Sequence, residues 1–451
     1  MTNEWRTVKL GDFLTLQRGF DLPKHTRAEG RIPVVSSSGI SGTHNEAKVQ
    51  PPGVVTGRYG TIGQVYFLRQ PFWPLNTTLW VKDFKGNDEH FCYYLLQTVD
   101  YFSCSDKAAV PGVNRNHLHE LAIAVPPITE QRAIAQVLGT LDDKIECNRQ
   151  MNRSLEDIVR ALFKSWFIDF DPVIDNALAA GNQIPDELAD RAALRQQVAE
   201  ESAKPLPDEL RALFPAEFIC TDSMGASGAA TAGRWIPKGW EVAPLSALAR
   251  LNPHSWTTKN APKRIQYIDL ANTKNGRITE VVEYSFDTAP SRARRILYSG
   301  DTVFGTVRPG NRSFAYIHEE GLTGSTGFAV LQPLREAYRE FVYLATTRDE
   351  MVDLFAHLAD GAAYPAVRAE VIIEQVHAMP PTQIIEAFHH LVAAVTVSIG
   401  QRSAQNTKLS ALRDTLLPQL LSGELRVPVA APQTVGNRSL IDTSRAGGLF
   451  Q

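Results

Sequence analysis

An internal repeat constrains the fold more than any other feature of this sequence. Residues 108–113 (AAVPGV) match residues 362–367 (AAYPAV) at an offset of 254, and the same offset places residues 125–127 (VPP) on residues 379–381 (MPP). Self-similarity at a fixed period indicates a duplicated structural unit. At 451 residues the chain also exceeds what one hydrophobic core usually serves. We therefore expect two similar halves, related by a pseudo-two-fold repeat.

The offset drifts in the earlier part of each copy, as insertions in loops would cause. Thr56 and Arg58 pair with Thr306 and Arg308, and Trp5 pairs with Trp240. These pairings predict that Arg58 and Arg308 occupy matching turns.

Each copy opens with a segment rich in Gly, Pro and Ser, residues 1–127 and 235–381. Short β-prone runs recur in both segments, at residues 33–35, 53–55, 78–81, 266–268 and 302–304. Each segment is predicted to be a mostly β domain with a few helices, for instance around residues 91–99. The fold class is therefore α+β.

After each Pro-Pro pair the apolar period changes to a heptad, which predicts long helices over residues 128–168 and 382–426. A heptad stripe needs a partner helix, so we expect the two to form an antiparallel coiled coil. The alternative is that each helix packs on its own domain. The predicted seam residues are Ile134, Leu138, Leu141, Ile145, Asn152 and Leu155 in the first helix, and Phe388, Val392, Val395, Ile399, Asn406 and Leu409 in the second.

Polar residues interrupt the middle of this seam at Asn148, Asn152, Arg402 and Asn406. Buried polar residues at such positions commonly determine helix register. The alternative is an exposed, frayed centre. Arg413 also breaks the apolar stripe, and Leu412 beside it is expected to supply the missing contact.

The remaining segments differ in charge and composition. Residues 169–233 carry 12 acidic and 4 basic side chains, so residues 169–234 are predicted to form an acidic connector, and residues 427–451 a disordered tail. The net charge of −3 then leaves +5 for the rest of the chain. This is modest for a duplex binder, so we expect any DNA ligand to bind weakly to this chain alone.

Cysteine usage and hydropathy indicate a cytoplasmic protein. The four cysteines lie far apart and form no Cys-x-x-Cys pair, which favours a reduced compartment and no zinc site. The N-terminus lacks an apolar signal core, and no stretch approaches the roughly 20 apolar residues of a membrane span.

Several segments resemble the specificity subunits of type I restriction-modification systems. The most specific are residues 126–132 (PPITEQR), which resemble the start of the family's first conserved helix, and residues 416–425 (LLPQLLSGEL), which resemble its closing helix. Residues 5–16, 165–172, 214–215 and 236–240 add weaker matches, and together these segments span nearly the whole chain. The second helix departs from the pattern, with Ile384, Ile385 and Glu386 in place of Glu-Gln-Arg.

The resemblance implies two target recognition domains joined by an antiparallel coiled coil, each reading half of a bipartite site in double-stranded DNA. It also implies that the coil determines the spacer between the half-sites and docks two modification subunits. Those methyltransferase subunits would bring S-adenosylmethionine. Restriction subunits, which act as translocase and nuclease, would use ATP and Mg. No cofactor is expected on this chain.

The sequence itself favours a non-catalytic chain. It contains neither a phosphate-binding Gly-x-x-x-x-Gly-Lys-Ser/Thr loop nor the Asn/Asp-Pro-Pro-aromatic tetrapeptide of DNA amino-methyltransferases. Residues 142–144 (Asp-Asp-Lys) look like part of a nuclease site, but their place on the helix favours a solvated face. His389 and His390 on the second helix are interpreted as surface residues rather than metal ligands.

Candidate DNA contacts must therefore lie in the β domains. Arg58 and Arg308 are predicted to reach guanine edges from their turns, the commonest direct base contact; the alternative is that they are surface or salt-bridged residues. The basic group of Arg292, Arg294 and Arg295 is assigned to phosphate before bases. The other candidates are Tyr59, Lys107, Asn114, Arg115, Asn116, Tyr364 and Arg368.

Three other functions remain open from sequence alone. A single-chain enzyme that cuts or methylates DNA is disfavoured by the missing motifs. A stand-alone bipartite DNA-binding regulator would bind tightly without partners. A duplicated protein scaffold would show no sequence preference in the assembled complex.

Overall fold

The computed structural model describes residues 4–103, 112–201, 206–221, 234–361 and 364–428. The chain divides into two compact units, residues 1–147 with 406–451, and residues 148–405. The predicted tail from residue 429 onward lies outside the described residues.

The first β domain belongs to the first unit, and short strands connected by tight turns dominate it. Its elements are β1 (Arg6–Lys9), α1 (Leu10–Phe13), β2 (Thr15–Arg18), β3 (Ile32–Ser36), β4 (Gly39–His44), β5 (Gly53–Gly57), β6 (Val65–Leu68), β7 (Trp73–Pro74), β8 (Thr78–Asp83), α2 (Glu89–Gln97), α3 (Arg115–His119) and β9 (Ala122–Val125). The predicted strands at residues 33–35, 53–55 and 78–81 are β3, β5 and β8, and the predicted helix near residue 91 is α2.

The first long helix, α4 (Ile128–Phe167), starts directly after the Pro-Pro pair and ends one residue before its predicted limit. Three further helices and a strand pair follow. These are α5 (Asp171–Ala180), α6 (Ala189–Glu200), α7 (Asp208–Arg211), β10 (Phe218–Thr221) and β11 (Arg234–Pro237). The connector is therefore folded where it is described.

The second β domain belongs to the second unit. Its elements are β12 (Glu241–Pro244), β13 (Ala249–Leu251), β14 (Arg264–Ile268), β15 (Thr273–Lys274), β16 (Arg277–Ile278), β17 (Val282–Ser285), β18 (Ala293–Ile296), β19 (Thr302–Gly305), β20 (Phe314–Tyr316), β21 (Leu322–Ser325), β22 (Phe328–Pro333), α8 (Arg339–Thr347), α9 (Asp349–Leu358), α10 (Ala369–Ile373) and β23 (Val376–Met379). The second long helix, α11 (Thr382–Ser422), ends the described fold.

Sheet topology confirms that the two β domains are copies of one fold. One four-stranded sheet has the order β2-β8-β5-β6 in the first domain, and its counterpart has the order β13-β22-β19-β20 in the second. In each domain the opening strand pairs antiparallel with the closing strand, β1 with β9 and β12 with β23. The second domain adds β15, β16, β18 and α9, which explains why the sequence offset drifts.

A second sheet in each domain follows the same plan. It contains β4-β3-β7 in the first domain and β17-β14-β21-β18 in the second. The strand β3 runs parallel to β7, and β14 runs parallel to β21. This conserved pairing allows residues of the two domains to be matched by strand register rather than by sequence letters.

In the first unit, the start of α4 and the end of α11 pack together on the core of the β domain. Ile134 and Leu138 are fully buried beside Leu420 and Leu421, and the same core includes Phe91. The predicted seam residues near the start of α4 therefore contact the β domain as well as the partner helix.

In the second unit, the other halves of the two helices pair in the same antiparallel sense. Phe163 packs edge-on against Phe388 at 5.9 Å between ring centroids, and Val392 lies in the same core. Asn152 donates from Nδ2 to the carbonyl oxygen of Ile399 at 3.1 Å. As residue numbers rise along α4 they fall along α11, which confirms the predicted antiparallel pair.

A charged pair within the connector, together with a hydrogen bond from α4, orients the connector at the end of that helix. Arg191 of α6 binds both carboxylate oxygens of Asp171, at 2.7 Å from Nε and 2.6 Å from Nη2. Asp171 is buried and also accepts a hydrogen bond from Ser165 at 2.8 Å. A bidentate pair of this kind orients as well as stabilises, so the acidic residues near α4 have a structural role.

Among the described residues, α11 is long and apolar enough to cross a membrane by length and composition alone. The sequence prediction did not anticipate this. One such helix is weak evidence, because a packed helix of a soluble protein passes the same test. Here one face of α11 packs along α4.

Candidate nucleic-acid interface

The turn after β5 presents Arg58 and Tyr59. The guanidinium of Arg58 lies over the ring of Tyr59 at 4.6 Å, and its Nε donates to the carbonyl oxygen of Val113 at 3.2 Å. Arg58 is half-buried and Tyr59 is exposed. Arg58 thus stacks on its neighbour within the turn, and its hydrogen bond joins the turn to the segment around residue 113. The predicted candidates around Asn114 lie in that same segment.

The turn after β19 presents Arg308 in a similar stacked arrangement. Its guanidinium lies over the ring of Tyr364 at 5.1 Å, and its backbone NH donates to the carbonyl oxygen of Pro365 at 2.7 Å. Arg308 is exposed, and 73% of the Tyr364 surface is accessible. Two candidates predicted from separate parts of the sequence are therefore in contact.

Backbone pairing shows that the prediction of matching positions for Arg58 and Arg308 is wrong by two residues. Val113 NH donates to the carbonyl of Arg58, whereas its counterpart Val367 donates to the carbonyl of Thr306. Strand register thus makes Thr306 the residue of the second domain that is equivalent to Arg58. The sequence match had aligned similar letters instead.

The position that corresponds to Arg308 is Gly60. Both residues have a left-handed backbone, with φ of 76° at Gly60 and 48° at Arg308. Glycine adopts this conformation readily, whereas other residues pay a steric penalty of roughly 1–2 kcal/mol. An arginine at such a position is a candidate functional residue, because strain of this kind is concentrated at binding sites.

The candidates Asn114 and Arg368 occupy matching positions at the N-caps of α3 and α10. Asn114 accepts a hydrogen bond from the backbone NH of Asn116 at 3.0 Å and so caps its helix. Arg368 makes no side-chain cap bond and is exposed. Arg115 and Asn116 are also exposed. Asn114 therefore has a structural role that the sequence prediction did not include.

The basic group at the start of β18, with Arg292 just before the strand, is more engaged with protein than the sequence predicted. Arg292 donates to the Tyr267 hydroxyl at 3.1 Å and pairs with Asp269 at 3.1 Å. Arg294 lies over the ring of Phe286, and burial lowers the pKa of Arg295. Arg292, which is exposed, remains the best placed of the three for phosphate.

Lys107 lies outside the described residues. Among the described residues, no group of three His, Cys, Asp or Glu side chains is arranged to hold a metal. His389 is less exposed than predicted, because its Nδ1 contacts Glu340 at 2.7 Å and only 15% of its side chain is accessible.

The family-like segment at the start of α4 has a clear structural role. Glu130 is buried and pairs with Arg426 at 2.6 Å, and it accepts a hydrogen bond from the indole of Trp5 at 3.2 Å. Gln131 accepts from the backbone NH of Asp88, the N-cap of α2, at 3.1 Å. These two side chains connect α4 to the end of the described chain and to the β domain.

Of the four polar residues predicted in the middle of the helix pair, Asn148 and Asn152 are buried, whereas Arg402 and Asn406 are half-buried. Asn148 donates to Gln405 Oε1 at 2.8 Å, and Asn152 also donates to Ser403 Oγ at 3.2 Å. Asn148 is 2% exposed and Asn152 is 6% exposed. Buried, hydrogen-bonded polar residues of this kind support the role in helix register predicted from the sequence.

Together these features define a class of protein with two copies of one β domain on an antiparallel helix pair, each copy presenting its own polar side chains at corresponding loops. The family profile described as type I restriction modification DNA specificity domain matches residues 2–157. Residues 2–157 therefore match the DNA specificity domain of type I restriction-modification systems, and the chain resembles the specificity subunits of those systems.

Individual specificity subunits are similar to this chain over most of its length. The specificity subunit of the type I restriction enzyme HindI from Haemophilus influenzae is 27% identical, with 74% of this chain and 77% of the relative covered. The MjaIX specificity subunit from Methanocaldococcus jannaschii is 24% identical, with 78% and 74% covered. The crystal structure of a type I restriction-modification S subunit from M. genitalium shows the same fold, with a TM-score of 0.54 at 16% identity. The match covers 93% of this chain and 96% of that S subunit.

Proposed function

We propose that each β domain of this chain reads one half of a bipartite sequence in double-stranded DNA. The carrying observation is that the two domains share strand order and register while the corresponding loops present different side chains. Arg58 and Tyr59 stand at the first loop, and Arg308 with Tyr364 at the second. A common framework with different contact residues is what separate reading of two unrelated half-sites requires.

Direct readout by the two arginines is the most specific part of this proposal. A guanidinium can donate two parallel hydrogen bonds to the O6 and N7 atoms of guanine in the major groove. Stacking on tyrosine restricts each guanidinium before DNA arrives, which reduces the ordering cost of that contact. Arg368, Arg115 and Arg292 are assigned to phosphate contacts that orient the domain.

The helix pair is proposed to determine the spacer between the half-sites and to dock two modification subunits. The chain itself is proposed to be non-catalytic and to bind no cofactor. S-adenosylmethionine would be bound by the modification subunits, and ATP with Mg by the restriction subunits of the same cytoplasmic complex. The modest charge of this chain supports a division of labour in which partners add phosphate contacts.

A domain exchange tests the central proposal. Residues 1–127 are replaced by the first domain of another family member, and methylated adenines are mapped in cells that carry the matching modification subunits. We expect one half-site to change and the other to stay as it was. A change in both half-sites would overturn separate reading, and tight, sequence-specific binding by the purified chain alone would favour a stand-alone regulator.

A further inference from the structure

Each β domain carries an exposed aliphatic side chain in or beside its second sheet, and in the second domain Leu334 and Leu358 are exposed elsewhere. Ile40 of β4 is 64% exposed, and Val281, which directly precedes β17, is 43% exposed. Single exposed apolar residues are common on protein surfaces and need no explanation by themselves. These two differ because they occupy the same position in the two copies, which the sequence alone does not reveal.

The equivalence follows from strand register. Ile40 pairs with Val35 across β3 and β4. In the second domain Val282 pairs with Tyr267, and continuing that register by one residue brings Val281 opposite Ile268.

Two parallel pairings then match Val35 to Ile268. Val35 lies beside Pro74, and Ile268 lies beside Gly324. Gly57 and Gly305 are equivalent in the two domains, and they pair with Thr78 and Phe328. Pro74 lies four residues before Thr78, and Gly324 lies four residues before Phe328, so Pro74 and Gly324 are equivalent as well. The structural match therefore equates Ile40 with Val281.

The strand ribbon that carries each residue also contacts the arginine turn of its own domain. A Cβ on Gly57 would lie 3.2 Å from the carbonyl oxygen of Ser37, three residues before Ile40. A Cβ on Gly305 would lie 3.1 Å from the Leu270 side chain, which follows β14 in the same way. Each ribbon is thus packed beside the turn that bears Arg58 or Arg308.

We infer that Ile40 and Val281 are specificity-determining residues that contact the C5-methyl group of a thymine, one in each half-site. The major groove admits a two-stranded β-ribbon, and the thymine methyl is the one apolar group that the base edges present there. A β-branched aliphatic side chain on an exposed edge strand suits that group in size and polarity. This inference rests on the proposed function and adds an apolar contact to the arginine contacts.

Deoxyuridine substitution tests the contact directly, because it removes only the methyl group and preserves base pairing. The complex of this chain with its modification subunits is titrated with duplexes in which each thymine of the site is replaced in turn. We expect one replacement in each half-site to weaken binding about fourfold, the effect of one methyl group removed from water. In Ile40→Ala the effect should disappear in the half-site read by the first domain and persist in the other.

Val281→Ala is the matched control and should give the reciprocal pattern. Both side chains are exposed, so neither truncation removes core packing, and thermal unfolding should be unchanged. The inference is overturned when no single replacement weakens binding, or when the effect survives in both alanine variants. It is also overturned when Ile40→Ala loses modification subunits with base discrimination intact, because the residue then contacts protein. None of these results affects the domain-exchange outcome, so the proposed function is judged separately.

Discussion

Arg413 of α11 donates from Nη1 to Oδ1 of Asp142 in α4 at 2.8 Å. The other carboxylate oxygen of Asp142 accepts from the Tyr94 hydroxyl at 2.7 Å, so one carboxylate joins both long helices to the β domain of the first unit. The prediction of a solvated face is therefore wrong for Asp142. Leu412, expected to replace Arg413 in the seam, is 47% exposed.

Removal of Arg413 is expected to destabilise the first unit. The side chains of Asp142 and Arg413 are each 27% exposed, so the pair is intermediate between a surface pair and a buried pair. A surface pair contributes about 0–1 kcal/mol, and disruption of a buried pair costs about 3–5 kcal/mol. Arg413→Ala should lower the free energy of unfolding by about 1–2 kcal/mol. The shift is measured as a lower urea midpoint at unchanged slope.

Asp143, the next residue along α4, provides the control. It pairs with Arg69 at 2.7 Å, but the two side chains are 62% and 66% exposed. Arg69→Ala should therefore change the free energy of unfolding by less than about 0.5 kcal/mol. Equal losses in the Arg69 and Arg413 variants would contradict the role assigned to Asp142.

Replacement of Arg308 should separate backbone strain from DNA reading. Arg308→Gly removes the side chain and relieves the left-handed backbone, whereas Arg308→Ala removes the side chain and keeps the strain. We expect both variants to lose about 1–3 kcal/mol of discrimination at one base pair of the second half-site. The glycine variant should exceed the alanine variant in free energy of unfolding by about 1 kcal/mol.

The measurements are a base-by-base binding profile and a denaturant titration of both variants. A uniform loss over all sequences would assign Arg308 to phosphate binding instead. The same profile for Arg58→Ala should show a relaxed position in the first half-site. Because Arg58 corresponds to Thr306 rather than to Arg308, the two relaxed positions need not lie at the same distance from the spacer.

The helices could be predicted from the sequence because their signals are local and strong. A Pro-Pro pair defines each start, and the heptad pattern locates α4 and α11 to within a few residues at each end. The repeat likewise predicted two domains of one fold. The connector's charge was visible, but its packing depends on pairs such as Arg191 with Asp171, which are 20 residues apart.

The candidate site was harder to predict, because register in a β domain depends on pairing between distant strands. The similar sequences around Arg58 and Arg308 suggested that these two residues are equivalent. The backbone hydrogen bonds of Val113 and Val367 show instead that Arg58 is equivalent to Thr306. No short-range signal relates Ile40 to Val281, since β15 and β16 are inserted before the second residue only. A change of one residue in register moves a side chain to the other face of a sheet.

Asp301 is expected to make stability depend on pH. Its side chain is buried, and burial raises its pKa from 3.8 to about 7. The folded state therefore holds this proton more strongly than the unfolded chain. The associated stability is fully present below about pH 4 and is lost as pH rises through about 7.

Asp301→Asn should remove this part of the pH dependence. The difference in free energy of unfolding between pH 5 and pH 8 should shrink by about 1–3 kcal/mol, since each pKa unit corresponds to about 1.4 kcal/mol. Denaturant titrations at several pH values measure it. Glu319→Gln, which alters an exposed carboxylate in the same unit, is the control. An identical pH profile in wild type and Asp301→Asn would refute the assignment.

The polar contacts in the middle of the helix pair show where its length can be changed without disturbing register. Asn148 of α4 bonds to Gln405 of α11, and the helices run antiparallel on both sides of this contact. An insertion in one helix alone would displace every later seam residue from its partner. Seven residues added to both helices preserve the heptad and add roughly 10 Å of helix.

We predict that such a matched insertion, after Asn148 and before Gln405, lengthens the preferred spacer by about 3 base pairs, taking roughly 3.4 Å per base pair. Both half-sites should keep their sequences, because the β domains are unaltered. The measurement is methylation mapping with the wild type and the paired-insertion variant, and a single-helix insertion is the control expected to lose activity. An active, folded paired variant with an unchanged spacer would show that the helix pair does not determine the spacing. Altered half-sites would instead show that recognition extends beyond the β domains.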